Sequence, residues 1–443
     1  MIKRHIRRPV LSAVMALLVT ALSTAALSVA TASAAPTELR PLGSDFMWGV
    51  ASAGFQNEGH APDSNWSRYA RQAGNQPYRN SVDFYDRYPE DIALAKNLGV
   101  KVYRLSVEWA RVEPKPGVWD PAGFAFYDKV IADIVASGMR PMITLDHWVY
   151  PGWEADRGGW ANPRMLGDWL VNARKVVDRY AKYNPLWVTF NEAIAYPLQE
   201  TRTIGMSPTA VPGMTDDIVA AHDSIYDYIH AHQPRAMVTS NVAYLPVAEP
   251  ALDATLENRI AAKLDFVGID YYYGATASNP ANFLPALQNQ AWKAELTPEG
   301  IYYALRYYAQ KFPGRPLYIV ENGMPTDNGR PRADGWTRSN VLRDTVYWLQ
   351  RAKADGINVI GYNYWSLTDN YEWGSYEPRF GLYTVDVNTD PILTRRPTDA
   401  VPVYRNIIAH NGVPAGYLPT RAPAPCSIVD LPSSCVNPVT LPH

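Results

Sequence analysis

Eight short runs rich in β-branched and aromatic residues, at 46–51, 101–109, 140–148, 186–192, 235–243, 264–272, 315–321 and 357–367, alternate with longer stretches in which apolar residues recur at helical spacing. The helical candidates include 82–97, 121–136, 163–183, 216–231, 298–312 and 338–354. Gly99, Gly138 and Gly356 follow three of them just before the next run, as expected where a helix stops and hands over to a strand. Strand then helix, repeated without a series of hairpins, requires parallel strands joined by crossovers. A doubly wound open sheet and a closed barrel both satisfy this pattern. They differ in where polar chemistry collects: an open sheet gathers it near one switch point, whereas a barrel spreads it over the C-terminal ends of many strands. Here it ends many different runs, so the expected fold is α/β, a single-domain (β/α)8 TIM barrel over residues 35–415. The chain shows no internal repeat, low-complexity segment or linker to a further module.

The two ends read differently. Lys3, Arg4, Arg7 and Arg8 precede a long apolar stretch that closes on Ala32-Ser33-Ala34, the pattern of a secretory signal peptide over residues 1–34, cut before Ala35. The apolar run is long enough for an uncleaved anchor, but its later half is mostly Ala, Ser and Thr. The expected location is therefore extracellular, with no membrane association after cleavage, and the Arg7-Arg8 pair leaves Sec and twin-arginine export both open. Cys426 and Cys435 are the only cysteines and lie in the Pro-rich tail, 416–443. In an exported chain a pair this close is expected to form a disulfide, worth roughly 2–3 kcal/mol if unstrained. No further metal ligands lie near it, and no cofactor is called for. A net charge of −2 with a pI near 6.5 argues against a polyanionic partner such as nucleic acid. The 14 Trp and 29 Tyr exceed what packing alone needs and suit a site that stacks on the flat apolar faces of sugars.

The strongest local signals are Thr189-Phe190-Asn191-Glu192, closing the fourth run, and Ile319-Val320-Glu321-Asn322-Gly323, closing the seventh. In a barrel these strands lie nearly opposite, so Glu192 and Glu321 face one another across the mouth. Glycoside hydrolysis needs two such carboxyl groups, one to protonate the leaving oxygen and one to attack the anomeric carbon or activate water. A barrel-mouth ion pair explains either glutamate alone; it does not explain both, each beside an Asn.

These residues resemble glycoside hydrolase family 1, the β-glucosidase family, over a span from about Phe46 to about Arg405. The family's Thr-x-Asn-Glu-Pro segment reads Thr-Phe-Asn-Glu-Ala, with Ala193 in place of proline, and its Thr-Glu-Asn-Gly segment reads Val320-Glu321-Asn322-Gly323. The resemblance implies Glu192 as acid/base and Glu321 as nucleophile, ~5–5.5 Å apart for the retaining mechanism. It further implies that Arg104, in Tyr103-Arg104-Leu105-Ser106, favours the charged form of the nucleophile, and that the Tyr272 hydroxyl lies beside it. Asp270 stands where the family usually has Asn and adds a titratable group to the site. For sugar binding the resemblance implies Gln56 and Glu372 at the far side of the ring, and the His147-Trp148 pair with His147 on the 3-hydroxyl. It also implies Asn191 on the 2-hydroxyl, Asp270 among the polar contacts, Trp365 as a stacking floor, and Trp373 closing the Trp365-to-Trp373 segment. The variants look closer to the archaeal and bacterial branch than to the plant enzymes.

The expected activity is an exo-acting retaining β-glucosidase that hydrolyses O-linked β-glycosides, small or oligosaccharide, through a covalent glycosyl-enzyme. A β-galactosidase or a transglycosidase of the same family is the alternative. A phospho-β-glycosidase should carry a Lys in Gly374-Ser375-Tyr376-Glu377, which has none, and a thioglucosidase should carry Gln at Glu192. A non-catalytic glycan-binding barrel should have lost a carboxylate. The composition does not bear on oligomeric state.

Overall fold

The computed structural model describes residues 39–440 apart from 247 and 277, so the expected signal peptide, 1–34, lies outside the described residues. The barrel strands are β1 (Met47–Ala51), β2 (Val102–Ser106), β3 (Arg140–Asp146), β4 (Leu186–Phe190), β5 in two pieces (Met237–Thr239 and Val242–Ala243), β6 (Val267–Asp270), β7 (Leu317–Glu321) and β8 (Val359–Trp365). All are parallel to their neighbours, and β1 pairs with both β2 and β8. Closure runs through β5. Its first piece pairs with β4, as in Val188↔Thr239, and its second pairs with β6, as in Ala243↔Asp270. Between the pieces Ser240 and Asn241 leave the ladder, and the Ser240 hydroxyl donates 3.1 Å to the Phe190 carbonyl. The fold is therefore the expected (β/α)8 barrel, with a polar break in one stave.

The crossover helices are α1 (Phe84–Leu98), α2 (Pro121–Ala136), α3 (Met165–Tyr180), α4 (Val211–His232), α5 (Glu249–Thr255), α6 (Gly300–Lys311), α7 (Arg338–Ala354) and α8 (Ala400–His410). Local sequence explains their ends. Asp120 caps α2 through Ala122 N, with Pro121 at the first helical position, and Thr337 caps α7 through Asn340 N. Gly99 ends α1 at φ 87°, a left-handed conformation that costs glycine little. The helices pack their apolar faces on the outside of the barrel in one continuous core.

Inside the barrel, Val102, Met142, Leu186, Val188, Phe266, Tyr318 and Val320 form a separate apolar plug. This makes the lower barrel a packed floor rather than a pore. The Tyr318 hydroxyl donates to Asn363 Oδ1 at 2.8 Å, and its ring fills the space that a side chain at Gly361 would need. Chemistry is thereby confined to the open end.

After α8 the chain straps across α6 and α7. Asp430 pairs with Arg306 at 2.6 Å, Asp344 accepts from Tyr417 and Thr420, and Glu299 accepts from the Ala424 amide. Cys426 and Cys435 lie in this strap at disulfide distance, with Cα atoms 4.5 Å apart. Among the described residues no helix is long and apolar enough to cross a membrane.

Candidate active site

Side chains from several barrel strands meet in a hydrogen-bonded network around Glu321. Arg104, fully buried at the middle of β2, donates from Nη1 to Glu321 Oε1, from Nη2 to Asn191 Oδ1 at 2.6 Å, and from Nε to Thr144 Oγ1 at 3.0 Å. The other oxygen of Glu321, Oε2, accepts from the Tyr272 hydroxyl at 2.8 Å. Both carboxylate oxygens are thus held, one by a guanidinium and one by a phenol, in charge-assisted bonds.

Glu192 sits in contrasting surroundings. It follows β4 at a backbone φ of 39°, in the left-handed region that β-carbon residues rarely adopt, and is held there by Ala195 N and Tyr196 N donating to its carbonyl at 2.8 and 3.2 Å. Burial and the neighbouring charge of Glu321 push its carboxyl up to about 8, with Arg104 opposing and Glu372 adding to the rise. Two carboxyl groups facing each other, one clamped by a cation and one driven to keep its proton, divide into a nucleophile and an acid. Trp148 and Trp373, at φ 67° and 51°, add two more left-handed residues at the same mouth. Backbone strain of this kind, ~1–3 kcal/mol each, persists where the surroundings over-determine it.

The far side of the opening is polar on one wall and aromatic on the other. Gln56 Nε2 donates to Glu372 Oε2 at 3.0 Å, and Trp365 Nε1 donates to Glu372 Oε1 at 2.9 Å. Burial raises the Glu372 carboxyl to about 7, against its bond from Trp365 and with the Glu321 charge adding to the rise. His147 lies parallel to Trp365, ring centroids 6.0 Å apart, with Nδ1 buried and unpartnered among the described residues. Burial, followed by the charge of Arg104, pushes its imidazole well down, so the ring is neutral. Gln56 lies in a short helix after β1, Gly54–Asn57, whose following residue Glu58 accepts from Arg111 Nε and the Tyr127 hydroxyl, each at 2.9 Å.

All the residues singled out from the sequence come to this one opening, but they play different parts in it. Gln56, His147, Glu192, Tyr272 and Trp373 are half-buried, whereas Arg104, Asn191, Asp270, Glu321, Trp365 and Glu372 are buried. Trp148 is a support: its indole N–H donates 2.6 Å to the Asn191 carbonyl, and its ring packs on Tyr196 and edge-on to Trp373. Asp270 is almost fully buried, and its partner is Asn241. Asn241 and Thr144 escaped the sequence reading. A polar Ser240-Asn241 pair inside an otherwise apolar run at the C-terminal half of a strand is the signal that marks the first; nothing in the sequence marks the second.

Gly323 shows why the segment after Glu321 carries glycine. A β-carbon there would overlap the Trp365 carbonyl oxygen at the point where the chain leaving β7 crosses the end of β8. Gly323→Ala should therefore lower stability by about 1–3 kcal/mol, read as a fall in the denaturant midpoint.

The profile of glycosyl hydrolase family 1 matches residues 39–249 and 234–413. The 1,4-β-D-glucan glucohydrolase of Thermotoga neapolitana is 28% identical over 446 residues, covering 83% of this chain and 98% of that protein. β-Glucosidase A of Thermotoga maritima is 27% identical over 445 residues, covering 83% of this chain and 98% of that protein. The solved structure of the Thermotoga maritima β-glucosidase in complex with deoxynojirimycin superposes with a TM-score of 0.72 at 24% identity, over 85% of this chain and 100% of that one, a likeness of fold. The chain belongs to glycosyl hydrolase family 1 and is a retaining β-glycosidase.

Proposed function

We propose that the enzyme is an exo-acting β-glucosidase in which Glu192 is the acid/base and Glu321 the nucleophile. The observation that carries the assignment of roles is the asymmetry of the pair: Glu321 has both oxygens held, by Arg104 and Tyr272, whereas Glu192 keeps a proton. In the first step Glu321 Oε attacks the anomeric carbon as Glu192 gives its proton to the departing oxygen. In the second, Glu192, now a carboxylate, takes a proton from water as that water attacks the glycosyl ester and frees Glu321. The Gln56–Glu372–Trp365 wall supports exo action, since it offers amide, carboxylate and indole groups to the hydroxyls and apolar face of a terminal ring and closes the opening beyond it. The β-glucosidase names of the relatives favour glucose as that ring.

The first test is a panel of p-nitrophenyl β-glycosides. The highest kcat/KM should fall on the glucoside, and a clear preference for another glycone would contradict the proposal. The pH profile follows from Glu192: its carboxyl is raised in the folded enzyme, so the acid is present at neutral pH and lost as pH rises through about 8. kcat/KM for a substrate with a poor leaving group should fall on that alkaline limb. A limb unmoved by leaving-group quality would contradict the assignment.

We also propose that the chain is exported, with residues 1–34 removed and Cys426–Cys435 oxidised. The positively charged start, the apolar run and the proximity of the two cysteines support this. The exported protein should begin at Ala35 and contain no free thiol.

A further inference from the structure

Asn241 and Asp270 form a buried pair in which one half of the bonding is missing. The Asn241 amide spends both its hydrogens: Nδ2 donates to Asn191 Oδ1 at 2.9 Å and to Asp270 Oδ2. Since both partners accept, the orientation of the amide is fixed. The two remaining atoms of the pair, Asn241 Oδ1 and Asp270 Oδ1, are both buried and meet no donor among the described residues. Their parent residues are 0% and 1% exposed. Leaving two acceptors bare in a dry site is costly.

A carboxylic acid facing an amide removes both vacancies at once. We propose that Asp270 works as a neutral acid, with its Oδ1 hydroxyl donating to Asn241 Oδ1 while Asn241 Nδ2 donates to Asp270 Oδ2, and that this reciprocal pair positions Asn191. The proposal rests on the reading of Asn191 as the contact for the sugar's 2-hydroxyl. Asn191 Oδ1 is gripped by two donors, Arg104 Nη2 and Asn241 Nδ2, which leaves its own Nδ2 to point at the ring. Asp270 thus reaches the substrate through Asn241 and Asn191, and is a positioning residue rather than a catalytic one.

The surroundings agree with a proton on Asp270. Glu321, from β7, is its register partner across the sheet; Glu192 faces it from the end of β4, Arg104 from β2, and Tyr272 from its own segment. The adjoining strand β5 contributes the neutral Asn241. One guanidinium therefore serves three carboxyl groups, and its bonds go to Glu321, Asn191 and Thr144. Burial, then the charges of Glu321 and Glu192, push the Asp270 carboxyl well up, with Arg104 and Asn241 opposing. With the folded value raised, the pair is intact below that value and breaks as pH rises through it. The family's usual Asn would pair with Asn241 at any pH; Asp270 makes the pairing, and with it the grip on the substrate, sensitive to alkali.

The test compares wild type with Asp270→Asn, and with Asp270→Ser as a second variant should the amide not fold. The wild-type-minus-variant infrared difference spectrum at neutral pH should show, for either variant, one protonated-carboxyl stretch that remains after the band of Glu192 cancels. This arm needs no turnover, so it stands or falls independently of the catalytic assignment. The second arm follows kcat/KM against pH for a 2,4-dinitrophenyl glucoside, whose leaving group does not need the proton of Glu192. Wild type should lose activity at alkaline pH, Asp270→Asn should hold it to higher pH, and Asp270→Ser should fall about tenfold below Asp270→Asn at neutral pH. An unchanged carboxyl band in the variants, or an alkaline limb that Asp270→Asn does not move, overturns the proposal.

Discussion

Glu321→Gly is expected to lower kcat on aryl β-glucosides by roughly 10⁵-fold or more, the scale on which removing an enzyme nucleophile acts. The loss has a structural reason beyond the missing attacking oxygen. Arg104 Nη1 and the Tyr272 hydroxyl both donate to the carboxylate, so its removal leaves a buried guanidinium without its counter-ion. Small anions should fill that gap. With azide present, the variant should form the α-glycosyl azide by direct displacement from the face that Glu321 occupied, a product the wild-type enzyme does not make. Steady-state assays with and without azide, and identification of the anomer by NMR, check both points. Near-normal turnover in Glu321→Gly would show that the attacking group lies elsewhere.

Glu192→Ala should have a smaller effect that depends on the substrate. General acid catalysis is worth roughly 10²–10⁴-fold, and it is needed only where the leaving alcohol is poor. Glycosides of alkyl alcohols should therefore lose the full amount, whereas 2,4-dinitrophenyl glucosides should lose little in the first step and accumulate the glycosyl-enzyme, because deglycosylation also uses Glu192. A pre-steady-state burst of dinitrophenol measures this. Azide should then restore turnover and give the β-glycosyl azide, the anomer opposite to that from Glu321→Gly. Equal losses on good and poor leaving groups would point to a structural role for Glu192.

The carboxylate pair and the barrel were legible in the sequence because each is local. Strands of a parallel barrel buried on both faces read as apolar runs, and residues that end such runs must lie at the mouth. All eight runs correspond to strands, and the helix at 338–354 matches α7 at both ends. The helix α8 (Ala400–His410) and the short helix Tyr196–Thr203 were missed. Their periods are interrupted, by Pro402 within the first turn of one and by the functional turn after Glu192 in the other. Within the site, residues carried by contiguous motifs were found. Asn241 was not, since its importance comes from a break in β5 that exists only because the two halves of the strand pair with different neighbours. Trp148 was singled out for its place beside His147, but the bond from its indole to the Asn191 carbonyl and its packing on Tyr196 and Trp373 are visible only in the fold. The departure at Asp270 was visible as a letter, but its meaning required the partner.

Glu321 should form the covalent glycosyl-enzyme, which a slow substrate can trap. The enzyme is incubated with 2,4-dinitrophenyl 2-deoxy-2-fluoro-β-glucoside, digested, and the labelled peptide sequenced by mass spectrometry. Stoichiometric inactivation with a single fluoroglucosyl group on Glu321 is the expected result. A label on any other residue would contradict it.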